Sequence, residues 1–208
     1  MKRILAFAVL ILSAAVSFTS CEETKEIDDQ ANWESRNNQY VKDIAARCAL
    51  SHATVETARE GQMFRLLSYK LDPEKNWTSP YTYVYCEVLA SGQTTASPFF
   101  TDSVRVNYRV RLIPTDNYPQ GQVIDQSYKT EKLDPSVNIP ASFQVSSLVE
   151  GVSTALMYMH AGDSWRITIP YQLGYGKTKR TGIPAYSTLI FEMNLTEFVR
   201  TGADLPPL

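Results

Sequence analysis

The sequence predicts an α+β domain: an antiparallel β-sheet with one short α-helix on its apolar face, preceded by a helical extension. Three patterns give this fold. Several runs in the second half alternate apolar and polar residues, a stretch among them spaces its apolar residues helically, and a longer stretch near the N-terminus does the same. Alternation suits a strand, whose side chains leave opposite faces in turn, whereas spacing by three and four residues suits one side of a helix.

The elements follow in chain order. Helical periodicity extends from about Ala31 to Glu60, where Trp33, Tyr40, Ile44 and Cys48 share a stripe and Gly61 supplies a stop. "MFRLLSYKL" is a short ordered segment, and "DPEKNWTSP" is rich in turn residues. "YTYVYCEVL" sets Val84, Cys86 and Val88 against Tyr83, Tyr85 and Glu87. In "VRVNYRVRL", Val104, Val106, Tyr108, Val110 and Leu112 face one way while Arg105, Asn107, Arg109 and Arg111 face the other, which predicts one core face and one wet face. "SWRITI" and "TLIFEMNL" repeat the alternation, through Trp165, Ile167 and Ile169 and through Leu189, Phe191, Met193 and Leu195. Between these strands Val152, Ala155, Leu156 and Met159 form the stripe a helix needs to lie across a sheet, with Gly162 as its stop.

Composition narrows the function classes. The 208 residues are 44% hydrophobic and carry a net charge of −2, which suits a globular protein and lacks the clustered basic surface of a nucleic-acid binder. Cys48, Cys86 and the distant His52 and His160 make no metal-ligand pattern, so no metal and no cofactor are expected. The first residues differ in kind: "MKR", then the apolar "ILAFAVLILSAAVSF", then "TSC". This is the composition of an export leader rather than of a membrane span. With Glu22 and Glu23 after Cys21, it resembles a bacterial lipoprotein signal, which implies that Cys21 is lipidated and anchors the chain in the cell envelope. An ordinary cleaved leader is the alternative. In an exported protein Cys48 and Cys86 form either one disulfide or two buried thiols. The organisation expected is a leader over 1–20, a tether and mainly helical extension over 21–79, a principal domain over 80–200 and a tail over 201–208.

From Tyr83 to Phe198 the chain resembles the FKBP-type peptidyl-prolyl cis-trans isomerases. The resemblance rests on "VRVNY", with Tyr108; "IDQS", with Ile124 and Asp125; and "FQVSSLVEGVSTALMYM", with Phe143, Leu148, Val149 and Val152. It continues through "IPYQLGYG", with Tyr175, and "IPAYSTLIFEMNL", with Ile183, Tyr186 and Phe191. It implies an FKBP-like twisted sheet wrapped on one short helix, and a shallow apolar cup that accepts a substrate proline. Tyr108, Phe143, Val149, Ile183 and Phe191 would form that cup. The Tyr175 hydroxyl and the Val149 N–H would hold substrate carbonyls, Asp125 would be a hydrogen-bond partner at the rim, and Ile124, Leu148 and Tyr186 would complete the binding surface. The implied partners are proline-containing polypeptides and macrolide inhibitors, with a homodimer through the N-terminal helix as in some bacterial relatives. The chain departs from the pattern at the cup floor, where Val152 replaces tryptophan, and at Ile124, which replaces an aromatic residue. The hairpin "RVRLIPTDNYPQGQ" is also longer than the family's, and it either shapes the lip or makes a separate contact. These departures leave two readings, an exported isomerase or a weakly active binding and chaperone module.

Overall fold

The computed structural model of the protein describes residues 28–134 and 137–207. The leader, Cys21 and most of the acidic tether lie outside the described residues. The elements are α1 (Trp33–Ser51), β1 (Met63–Leu67), β2 (Tyr83–Ala90), β3 (Ser103–Arg111), β4 (Val123–Gln126), β5 (Ala141–Gln144), α2 (Glu150–Leu156), β6 (Ser164–Ile169) and β7 (Leu189–Val199). The strands form one sheet in the order β1-β2-β6-β7-β3-β4, with β5 also paired to β3, and every pairing is antiparallel. β3 is the hinge of this arrangement. One edge runs along β7, while its other edge is shared by β5 near Ser103 and β4 near Arg111.

The two faces are covered differently. Val84, Cys86 and Val88 of β2, Val104 and Val106 of β3, and Ile167 and Ile169 of β6 pack with Val152, Ala155 and Leu156 of α2 in the main core. α2 lies very close to the sheet: a Cβ on Gly151 would stand 2.3 Å from Ile169 Cγ2, so only glycine fits there. The helix stops at Leu156, short of Met159, which nevertheless stays fully buried in the following turn.

The opposite face is not the wet surface that alternation predicts. α1 lies on it, and Val41, Ile44 and Cys48 cluster with Met63 of β1 and Tyr85 of β2. Asn37 and Val41 join the buried stripe, whereas Tyr40 sits at its margin. The helix ends at His52, in a left-handed conformation at φ 51°, well before the predicted stop at Gly61. Burying its aliphatic side chains stabilises the docked helix by about 1.5–3 kcal/mol each. The extension thus adds β1 to the sheet and α1 to its second face. Further along that face the β3 arginines are also covered: Arg109 donates to the carbonyls of Thr130 and Glu131 and lies 4.5 Å over the Tyr128 ring, and Arg105 donates to Glu197 and the Pro206 carbonyl.

Cys48 and Cys86 are free thiols. Successive β2 residues explain why no disulfide forms. Tyr85 faces α1 and Cys48, while Cys86 faces α2, so the sheet stands between the two sulfurs. Burial pushes both thiols above their ordinary range. The long hairpin after β3 makes a separate contact rather than a lip: the Asn117 amide donates to Asp29 at 3.0 Å, and Arg36 of α1 reaches the Pro114 carbonyl at 3.4 Å.

Candidate active site

The sheet register builds a hollow on the α2 side. Val110 of β3 stands opposite Phe191 of β7, Tyr108 opposite Met193, and Val104 opposite Phe143 of β5. Their same-facing side chains surround a space of about 260 Å³. Ile124 and Asp125 of β4 close one side, and Ser147, Leu148 and Val149, entering α2, close another. Tyr175 and Ile183 come from the segment between β6 and β7, Leu189 opens β7, and Val152 forms a buried floor. The rings meet edge-on or tilted, with Tyr108 5.8 Å from Phe143 and 6.4 Å from Phe191.

Ten of the eleven sequence-predicted pocket residues therefore line one space: Tyr108, Ile124, Asp125, Phe143, Leu148, Val149, Val152, Tyr175, Ile183 and Phe191. Tyr186 does not. Its ring packs edge-on against Tyr171 at 5.3 Å, outside the hollow. Its backbone there is left-handed, at φ 62°, an uncommon conformation for a bulky residue. Sequence reasoning also missed Val106, Val110, Leu189 and Met193 as lining residues. It placed them in the core, although each shares strand phase with Tyr108 or Phe191.

The polar features are few and lie at the rim. The Tyr108 hydroxyl donates to Asp125 Oδ2 at 2.8 Å, and the other carboxylate oxygen accepts the Gln126 N–H at 2.8 Å. Burial first, and then the Asp125 carboxylate, raise the Tyr108 pKa well above the usual tyrosine range, so its hydroxyl stays protonated near neutrality. Val149 is the N-cap of α2 at ψ 148°, and among the described residues its backbone N–H has no protein acceptor. Tyr175 is 38% exposed, with Arg180 over its ring at 5.8 Å. A larger hollow of about 640 Å³ lies on the α1 side, but charged groups dominate its walls, including Arg166 bridged to Glu87 and Glu192. Its apolar residues, such as Ile44, Met63 and Ile190, are interspersed with these charges rather than gathered into a cup. Among the described residues no three His, Cys, Asp or Glu side chains gather as metal ligands, and no helix is long and apolar enough to cross a membrane.

Fold and site together define an α+β domain that presents an aromatic-walled apolar cup with a single carboxylate at its edge. Comparison with known proteins gives the same class. Residues 95–196 match the family FKBP-type peptidyl-prolyl cis-trans isomerase. The FKBP-type 22 kDa peptidyl-prolyl cis-trans isomerase of Escherichia coli is 37% identical over 105 residues, half of this chain and 45% of that one. The macrophage infectivity potentiator of Trypanosoma cruzi is 30% identical over 194 residues, 92% of this chain and 81% of that one. The outer membrane protein MIP of Legionella longbeachae is 37% identical over 103 residues, 49% of this chain and 39% of that one. Among solved structures, a peptidyl-prolyl cis-trans isomerase from Pseudomonas syringae pv. tomato superposes with a TM-score of 0.50 at 22% identity, covering 80% of this chain and 96% of that one, a likeness of fold. The chain spans less than half the length of the first relatives it matches. It belongs to the FKBP-type peptidyl-prolyl cis-trans isomerase family.

Proposed function

We propose that this protein is an exported, lipid-anchored peptidyl-prolyl isomerase of the cell envelope, and that the 260 Å³ hollow takes the substrate proline. The observation that carries this reading is convergence: Tyr108, Phe143, Val149, Tyr175, Ile183 and Phe191, spread over five chain segments, line one space. The chemistry suits such a lining. Rotation about X–Pro must cross a barrier of about 18–20 kcal/mol set by amide resonance. No bond is exchanged, so no nucleophile is needed. The planar amide carries partial negative charge on its oxygen, and the twisted transition state loses that separation. A water-poor cup shaped to the twisted amide therefore binds the transition state better than the ground state. Tyr108, Phe143, Ile183, Phe191 and Val152 would hold the ring. The unpaired Val149 N–H and the Tyr175 hydroxyl would hold flanking carbonyls, while Asp125 orients Tyr108 rather than taking a proton.

The test is a protease-coupled proline-peptide assay on the full chain and on Phe191→Ala. Acceleration by the full chain that is lost in the variant is expected; no acceleration over the uncatalysed rate defeats the enzyme reading. Val152 favours a second reading, in which the cup binds proline segments as a chaperone with weak turnover. The result for that case is peptide binding without acceleration. Macrolides that mimic a prolyl ring belong to the same pocket. Anchoring rests on the leader-like sequence and Cys21, and on similarity to a relative named an outer membrane protein. It predicts fatty-acid labelling that Cys21→Ala abolishes. A homodimer through the N-terminal helix forms no part of this proposal, because α1 spends its apolar stripe on its own sheet.

A further inference from the structure

The first turns of α1 reach, through hydrogen bonds, the segments that carry the cup's lip. The Trp33 indole N–H donates to Ser187 Oγ at 2.9 Å, and that hydroxyl donates to the Pro184 carbonyl at 2.7 Å. Asn37 is fully buried. Its side-chain oxygen accepts the Thr188 backbone N–H at 2.7 Å, while its amide donates to the Trp33 carbonyl at 2.8 Å. Asn37 thus pins a lip amide to the helix with both ends of its side chain. A third tie is longer: the Tyr171 hydroxyl approaches Glu34 at 3.5 Å, and the Tyr171 ring supports Tyr186 edge-on.

The held residues lie between cup residues. Ser187 and Thr188 fall between Ile183 and Leu189, both of which line the hollow. Tyr186, in its left-handed conformation, donates its N–H to the Gly176 carbonyl, next to Tyr175. A bulky residue at positive φ persists only where its surroundings over-determine it. Here those surroundings are Tyr171, Gly176 and, through Ser187 and Thr188, α1.

We propose that α1 acts as a brace for the substrate lip, with Asn37 and Trp33 as positioning residues that set selectivity for the residue preceding proline. This inference rests on the hollow being the prolyl site. Ordering the lip before substrate arrives removes a cost that binding would otherwise carry. Most of the ring's contacts (Tyr108, Phe143, Val152 and Phe191) lie outside the lip, whereas Tyr175 within it would hold a flanking carbonyl, so loosening the lip changes KM and the ranking of X–Pro substrates more than it changes kcat.

The experiment measures kcat and KM of the full chain for X–Pro tetrapeptides with small and bulky X. The proteins are the parent, Asn37→Ala, Asn37→Asp, Trp33→Phe and Phe191→Ala. Asn37→Ala leaves the buried Thr188 N–H unpaired and is expected to lower kcat/KM for bulky X about fivefold to tenfold, mostly through KM, with less effect on small X. Asn37→Asp keeps the acceptor for Thr188 but loses the donor to the Trp33 carbonyl, so where it folds it should retain more of the parent's selectivity than Asn37→Ala. Trp33→Phe keeps the ring but loses the bond to Ser187, and should shift selectivity in the same direction if Asn37→Ala does not fold. A fall that is equal for all X and follows the folded fraction from urea unfolding overturns the proposal, as does no change at all. If Phe191→Ala is also unaffected, the prolyl site is misplaced; if only Phe191→Ala is impaired, the site stands and the brace fails.

Discussion

Removing the Tyr108–Asp125 hydrogen bond separates a positioning carboxylate from a catalytic base. Tyr108→Phe deletes the hydroxyl that donates to Asp125 at 2.8 Å and keeps the ring against Phe143 and Phe191. Asp125 retains its bond from the Gln126 N–H and is exposed, so no buried charge is stranded. A hydrogen bond to a charged group contributes about 1.5–3 kcal/mol when sheltered, and solvent at the rim reduces this to about 1 kcal/mol. The expected fall in kcat/KM is about fivefold. Asp125→Ala leaves the Tyr108 hydroxyl without its acceptor beside an apolar wall and should cost about five- to tenfold. Both changes break the same bond, so the double variant should fall little further, giving a coupling of about 1 kcal/mol in the cycle. The assay is the protease-coupled peptide reaction across pH 6–8, with thermal melts to correct for folding. A loss of about 10²–10⁴-fold in Asp125→Ala alone, with a pH-dependent rate, would show a general base and refute the positioning role. Additive losses would refute the coupling.

Four further outcomes are expected. Val152→Trp should raise affinity for proline-mimicking macrolides about tenfold, because an indole platform adds contact area that exceeds the overpacking cost of about 1–3 kcal/mol; titration calorimetry showing unchanged affinity would place the pocket elsewhere. The thermal midpoint should be the same with and without reductant, since Cys48 and Cys86 are free thiols; a drop on reduction would reveal a disulfide. Burial raises the pKa of Tyr40, Tyr85, Tyr108, Tyr128 and Tyr171 in the folded protein, so the folded state holds protons that the unfolded state releases near pH 10. That stability is complete below about pH 10 and is lost as pH rises further, so urea midpoints should fall between pH 9 and 11, less steeply in Tyr85→Phe; a flat profile contradicts this. Gly151→Ala forces a Cβ to 2.3 Å from Ile169 Cγ2 and should cost about 1–3 kcal/mol in denaturant unfolding, an unchanged midpoint being the contrary result.

Which parts were legible in the sequence depends on the range of the signal. Alternation along β2, β3, β6 and β7 is local, and it correctly put Val84 with Cys86 and Val106 with Tyr108. It could say only that the two faces differ, not what covers the second. Arg105, Asn107 and Arg109 read as wet, yet all three are buried. Their cover comes from residues far along the chain, such as Glu131 and Pro206. Asn37 was invisible for the same reason: a polar residue within an apolar stripe looks like an interruption until Thr188, 151 residues away, supplies its donor. The position of the Tyr186 ring, against Tyr171 rather than in the lining of the hollow, was hidden for another reason. The residue's family position was clear, but its left-handed φ belongs to the backbone and leaves no mark in the pattern of residue types.

The cup depends on register more than on any single residue. Its walls come from β3, β4, β5, the start of α2 and the 175–193 segment, and none of these could form a hollow alone. A strand slip of one residue turns every side chain to the other face, which in β3 would put Arg109 in place of Tyr108 and an arginine beside Phe143. Pairing to β7 through Arg111 and to β5 through Val106 makes such a slip costly at both ends of the strand. The lip has no comparable ladder. Among the described residues, the lip between Leu173 and Leu189 has only scattered backbone pairings, such as the Arg180–Ile183 bridge and the Tyr186 N–H to the Gly176 carbonyl, so much of its geometry comes from side chains packed behind it. Those side chains include Trp33 and Asn37 of α1. A site whose floor and walls are held by a sheet but whose rim is held by a separate helix can change substrate preference without losing its fold, and substitutions on α1 are the place to look for that.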